Sequence, residues 1–154
     1  MDVYLGLGSN EGDRRRNIDS AISMIAAHDG IRLEKVSDII ETEPWGFSAE
    51  QDFLNCVVKL NVDRSIAPLE LLDICKSVEK SLGRVENIEY GTDGNRIYHS
   101  RQIDVDILLY GDLRVSGERL TLPHPLMAGR DFVMVPLRQV ASEDVGKLFP
   151  EIKL

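Results

Sequence analysis

The run FLNCVVKLNV, Phe53 to Val62, constrains this chain more than any other segment. Leu54, Cys56, Val58, Leu60 and Val62 alternate with the residues between them, so the pattern predicts a strand with one apolar face. Such a strand cannot stand alone. Its N–H and C=O groups need neighbouring strands, and its apolar face needs a covering layer. The rest of the chain supplies both. VYLGL at 3–7 and IDVDILLY from Ile103 to Tyr110 read as strands, as does a long segment from Ile31 to Thr42. A helix from Asp13 to His28 places Ile18, Ile22 and Ile25 on one face, and Asp29-Gly30 stops it. Pro68 opens a second helix with Leu71, Cys75, Val78 and Leu82 as its buried stripe, and Gly83 ends it.

The order is therefore strand, helix, strand, strand, helix, strand, the ferredoxin-like βαββαβ order. It predicts an α+β fold in one domain spanning residues 1–154. The expected core is an antiparallel four-stranded sheet with both helices on one face. Beyond it, Gly111 to Leu122 suggests a hairpin. LPHPLMAGRDF reads as irregular or briefly helical, and Val135 to Ala141 as one or two helical turns. Residues 84–102 show no sustained period, which marks either a functional lid or a disordered loop.

Composition narrows the function classes. Hydrophobic residues make up 43% and charged residues 29%, with no apolar run of membrane-spanning length. The start, MDVYLGLGSN, lacks the basic flank of a signal peptide. Cys56 and Cys75 both sit in apolar patterns and read as buried free thiols, so a cytoplasmic location is expected. A net charge of −8 argues against nucleic acid and acidic membranes as partners. Arg84, Arg96, Arg101 and Arg130 all lie in the second half, a set better suited to a small polyanion. Nothing in the sequence fixes the oligomeric state, and a monomer is the expectation.

Asp104 and Asp106 are two apart on a strand, so both carboxylates share a face opposite Ile103, Val105, Ile107 and Leu109. Two like charges beside apolar neighbours call for a positive counterpart. A hard divalent cation such as Mg2+ would serve, and so would surface lysine or arginine. Arg84 and Arg101 flank the pair in sequence and offer donor forks for phosphate. His124 is held between two prolines and could donate to a phosphate or to backbone. Phe53 and Asn55 share the other face of their strand, where the ring could stack on a flat ligand and the amide read its edge. Trp45 and Phe47, in the preceding loop, could instead pack that loop down. GLGSN is neither a P-loop nor a dinucleotide fingerprint.

These pieces, in order, resemble the 6-hydroxymethyl-7,8-dihydropterin pyrophosphokinase family. The matching segments are GLGSN at 6–10, ETEPWG at 41–46, DFLNCVV at 52–58, EKSLGR at 79–84, RQIDVDILLYG at 101–111 and LTLPHPLMAGRDFVMVPL at 120–137. The resemblance implies a ferredoxin-like enzyme of folate synthesis that moves the β,γ-pyrophosphoryl group of ATP to the pterin hydroxymethyl oxygen, releasing AMP. It implies that Asp104 and Asp106 hold a pair of magnesium ions and form the catalytic set with Arg84 and Arg101. Glu79, Arg84, Arg101, His124 and Arg130 would line the ATP site. Thr42, Trp45, Gly46, Phe53, Asn55 and Phe132 would bind the pterin, with the two phenylalanine rings as a sandwich. The chain departs from some members at Glu86, where they carry arginine, and at Pro125, where they carry tyrosine. The rival readings are an RNA-binding module or a metabolite-binding domain without turnover, both ferredoxin-like.

Overall fold

The computed structural model describes residues 1–43, 52–83 and 102–154. Five strands form the main sheet: β1 (Asp2–Ser9), β2 (Ile31–Val36), β3 (Ile40–Thr42), β4 (Phe53–Val62) and β5 (Asp104–Tyr110). Their order is β2-β4-β1-β5, with β3 paired to β4 beyond the end of β2. All pairings are antiparallel. The segment expected as one strand from Ile31 to Thr42 is thus two. The break falls at Ser37, whose N–H donates to the Val57 carbonyl while its hydroxyl accepts the Val57 N–H, both at 2.9 Å.

Helices α1 (Arg14–Ala26) and α2 (Pro68–Ser81) cover one face of the sheet, as the βαββαβ order requires. Asp13 caps α1 by accepting the Arg16 N–H at 3.2 Å, and Pro68 opens α2. Gly83, at φ +100°, ends α2 in a left-handed conformation that a side chain would strain. Beneath the helices, Val3, Leu5, Leu7, Val58, Leu60, Val105 and Ile107 meet Ile18, Ile25, Leu71 and Val78. Each such fully buried side chain contributes about 1.5–3 kcal/mol. Cys56 and Cys75 are free thiols inside this core, and burial pushes both up to about 12. Among the described residues no helix is long and apolar enough to cross a membrane.

The other face is partly covered as well. The chain after β5 forms a hairpin, β6 (Val115–Ser116) and β7 (Thr121–Leu122), then a short turn at Met127–Gly129, then α3 (Asp131–Val140) and α4 (Glu143–Leu148). Val133, Met134, Leu137 and Val140 of α3 pack with Val145, Phe149, Tyr4, Val57, Leu108 and Leu109 into a second core. Helix α3 is longer than the one or two turns expected from Val135. Pro136 lies inside α3, which begins at Asp131. Leu109 also differs from expectation. A register shift between Tyr4 and Leu5 leaves β5 with an extra residue, and this bulge turns Leu109 to the second core.

Candidate active site

Phe53, Asn55 and Val57 face away from α1 and α2, as do Asp104, Asp106 and Leu108. The two rows lie on β4 and β5, with β1 between them. In register, Gly8 sits between Asn55 and Asp104, and Gly6 between Val57 and Asp106. Because neither glycine has a side chain, β1 lines the floor between the two rows with backbone, over which the Asn55 and Leu108 side chains lean. A Cβ on Gly8 would meet the Asn55 Oδ1 at 2.8 Å, and one on Gly6 would rest on the Leu108 side chain at 3.5 Å. The alternating G-x-G of a strand is the signal for this floor.

The floor belongs to a cleft of about 160 Å³. Its walls bring together Thr42 and Glu43 from the end of β3, Phe53 and Asn55 from β4, Asp104 and Asp106 from β5, and Arg130, Phe132 and Val133 from the start of α3. Seven of the residues proposed from sequence therefore share one concavity: Thr42, Phe53, Asn55, Asp104, Asp106, Arg130 and Phe132. Gly6, Gly8, Glu43, Val57, Leu108 and Val133 also line it and were not singled out; Val57 and Leu108 continue the same-face alternation of Asn55 and Asp106. Trp45, Gly46, Arg84 and Arg101 lie outside the described residues, as do Phe47, Glu86 and the lid proposed for 84–101.

Asn55 is buried and its Nδ2 donates to the Thr42 hydroxyl at 2.9 Å. That bond fixes the amide plane and leaves a carbonyl and one N–H for a ligand edge. Phe53 and Phe132 stand half-buried on different walls. The Arg130 guanidinium lies over the Phe132 ring, 5.5 Å from its centre.

The acidic side of the cleft is electrostatically loaded. Burial, then Asp104, then Glu79 push the Asp106 carboxyl up to about 7, against the opposing pull of Lys76 and Arg130. Glu79 does not line the cleft. It is buried under β5, where its Oε2 accepts the Val105 N–H at 3.0 Å and its Oε1 lies 3.4 Å from Lys76 Nζ. It thereby ties α2 to the backbone between the two aspartates.

His124 follows the cis Leu122–Pro123 bond and donates its N–H to the Leu108 carbonyl at 3.0 Å. Its Nδ1 accepts the Leu126 N–H at 3.2 Å, which leaves the ring proton on Nε2. Burial, then Arg130, hold the imidazole below its ordinary range, with Asp104 opposing. At neutral pH it is an uncharged Nε2–H donor.

Among the described residues no group of three or more His, Cys, Asp and Glu converges as a metal site. The donor set instead fits magnesium in its substrate-bridging role, which takes one or two carboxylates and completes its shell with phosphates and water. A carboxyl raised to about 7 by burial first, and then by the negative charge of Asp104 and Glu79, is one that a cation would return to its ionised form.

The fold and sequence have known counterparts. A solved HPPK-DHPS structure in complex with substrates aligns with a TM-score of 0.58 at 13% identity, over 90% of this chain and 40% of that one, a likeness in fold alone. The 2-amino-4-hydroxy-6-hydroxymethyldihydropteridine pyrophosphokinase of Porphyromonas gingivalis is 44% identical over 140 residues, covering 90% of each chain. The enzyme of the same name from Aquifex aeolicus is 41% identical over 147 residues, covering 96% of this chain and 84% of that one. With the family model matching from residue 4 to residue 142, the chain belongs to the 7,8-dihydro-6-hydroxymethylpterin-pyrophosphokinase family.

Proposed function

We propose that the glycine-floored cleft performs the reaction of this family, with residues 1–154 as one catalytic unit. The β,γ-pyrophosphoryl group of ATP passes to the hydroxymethyl oxygen of 6-hydroxymethyl-7,8-dihydropterin. That oxygen bonds to the β-phosphorus, the bond from this phosphorus to the bridging oxygen of AMP breaks, and the hydroxyl proton leaves to solvent. The observation that carries the residue assignment is the paired register Asn55–Gly8–Asp104 and Val57–Gly6–Asp106. It sets an edge-reading amide and a carboxylate pair on opposite sides of a surface that a flat ring can lie along.

In this reading Phe53 and Phe132 stack on the pterin faces, and Asn55, oriented by Thr42, reads the ring edge. Asp104 and Asp106 would hold magnesium, which when bound would neutralise phosphate charge and make the hydroxymethyl group more acidic. Arg130 and the His124 Nε2–H donate to phosphate oxygens, and Arg84 and Arg101 join them from outside the described residues. Glu79 holds β5 in place rather than touching ATP. Buried, uncombined thiols make the cytoplasm the proposed compartment.

The test is product analysis after mixing the protein with ATP, magnesium and the hydroxymethyl-dihydropterin. AMP and a pterin diphosphate should form in equal amounts. ADP as the product, or no turnover, would overturn the reading.

A further inference from the structure

We propose that Arg14 is a positioning residue for pterin recognition, acting through the ends of β3 and β4; this rests on the reading of the cleft as the pterin site. Arg14 Nη1 donates to Glu41 Oε1 at 3.1 Å and to the Asp52 carbonyl at 2.8 Å. Glu41 immediately precedes Thr42, which orients the Asn55 amide. Asp52 immediately precedes Phe53, which forms one wall. A single guanidinium therefore pins the residue before each of two recognition side chains.

The strand it pins needs the support. Among the described residues β3, three residues long, pairs with β4 alone, matching Ile40 to Asn55, Glu41 to Leu54 and Thr42 to Phe53. So short a strand, with one hydrogen-bonded neighbour, holds its place weakly by its own ladder. Arg14 itself is well anchored. It is the first residue of α1, whose start is braced by the Asp13 cap and by Asn17 Nδ2, which donates to the Glu11 carbonyl at 2.9 Å and the Ser9 hydroxyl at 3.4 Å. Ser9 ends β1, the strand that carries the glycine floor. Arg14 thus locks β3 and β4 to the floor strand at one end of the cleft. The arginine side chain is 25% exposed, so its bonds are only partly screened by water.

Calorimetry on the full chain decides this, with the hydroxymethyl-dihydropterin titrated in magnesium and a non-hydrolysable ATP analogue. Arg14→Ala should weaken pterin binding about tenfold while the analogue's own affinity stays within about twofold. Glu41→Gln, which leaves the Asp52 bond, should weaken it about threefold, and the double variant should be no worse than Arg14→Ala. Arg14→Lys, which keeps a donor and the charge, should recover part of the loss. Unchanged pterin affinity in Arg14→Ala, or an equal loss of analogue affinity, overturns the proposal. Should Arg14→Ala not fold, an unchanged Glu41→Gln overturns it alone. A wild-type protein that binds no pterin removes the cleft reading itself, a result distinct from any of these.

Discussion

Replacing Asp106 with asparagine should stabilise the metal-free protein while destroying its activity. The wild-type carboxyl stands at about 7, roughly three pH units above an ordinary aspartate, through burial first and then Asp104 and Glu79. Full conversion at about 1.4 kcal/mol per unit gives about 4 kcal/mol. Asp106 is half-buried and water at the cleft mouth screens part of this, so about 2 kcal/mol is the working figure. The sign follows from the direction. A carboxyl raised in the folded state carries no penalty below its unfolded value near 4. The penalty grows as the pH climbs, and it is complete above 7. Asparagine, nearly the same shape and never charged, should therefore raise the melting temperature at pH 8 in a chelator by about 4–8 °C and leave it nearly unchanged at pH 4.5. Turnover at pH 8 with magnesium should fall at least about a thousandfold. Thermal denaturation at the two pH values and an AMP-release assay supply the readouts. A variant no more stable than wild type at pH 8, or one keeping a tenth of the activity, would refute the reasoning.

Gly8→Ala should leave the fold intact and weaken pterin binding about tenfold or more, because its Cβ would meet Asn55 Oδ1 at 2.8 Å and drive the amide off Thr42; pterin titration and circular dichroism together check this. Asn55→Ala should cost roughly tenfold or more in pterin affinity and far less in affinity for an ATP analogue, measured by calorimetry with each ligand. Glu79→Gln keeps an acceptor for the Val105 N–H and should retain most of the turnover, whereas Glu79→Ala removes that acceptor and should lower kcat about tenfold to a hundredfold, by the same assay.

Much of this was legible in the chain because its strands alternate cleanly. The period-two pattern of Leu54 to Val62 names both faces of β4, and the G-x-G and D-x-D spacings lie on the matching face of β1 and β5. What stayed hidden needs long-range knowledge. The side-by-side register of Gly8 with Asn55 and Asp104 cannot be read within any one strand. The bulge at Leu108 and Leu109 inverts an alternation that looks regular in sequence. LPHPLMAGRDF reads as irregular or briefly helical, so the first turn of α3, which carries Phe132 to the cleft, does not stand out in the pattern. The bond from the Val105 N–H to the Glu79 carboxylate joins residues 26 apart in sequence, and no local pattern announces it. Ser37 carries no sequence signal for the break it makes between β2 and β3.

The most direct test of the central claim is a crystal structure of the protein with the pterin, a non-hydrolysable ATP analogue and manganese in place of magnesium. Anomalous scattering from manganese would locate the metal. The account predicts metal bound to the carboxylates of Asp104 and Asp106 at about 2.0–2.2 Å. It also predicts the pterin ring between Phe53 and Phe132, with its edge on Asn55. Metal bound away from both aspartates, or a pterin ring outside the glycine-floored cleft, would contradict it.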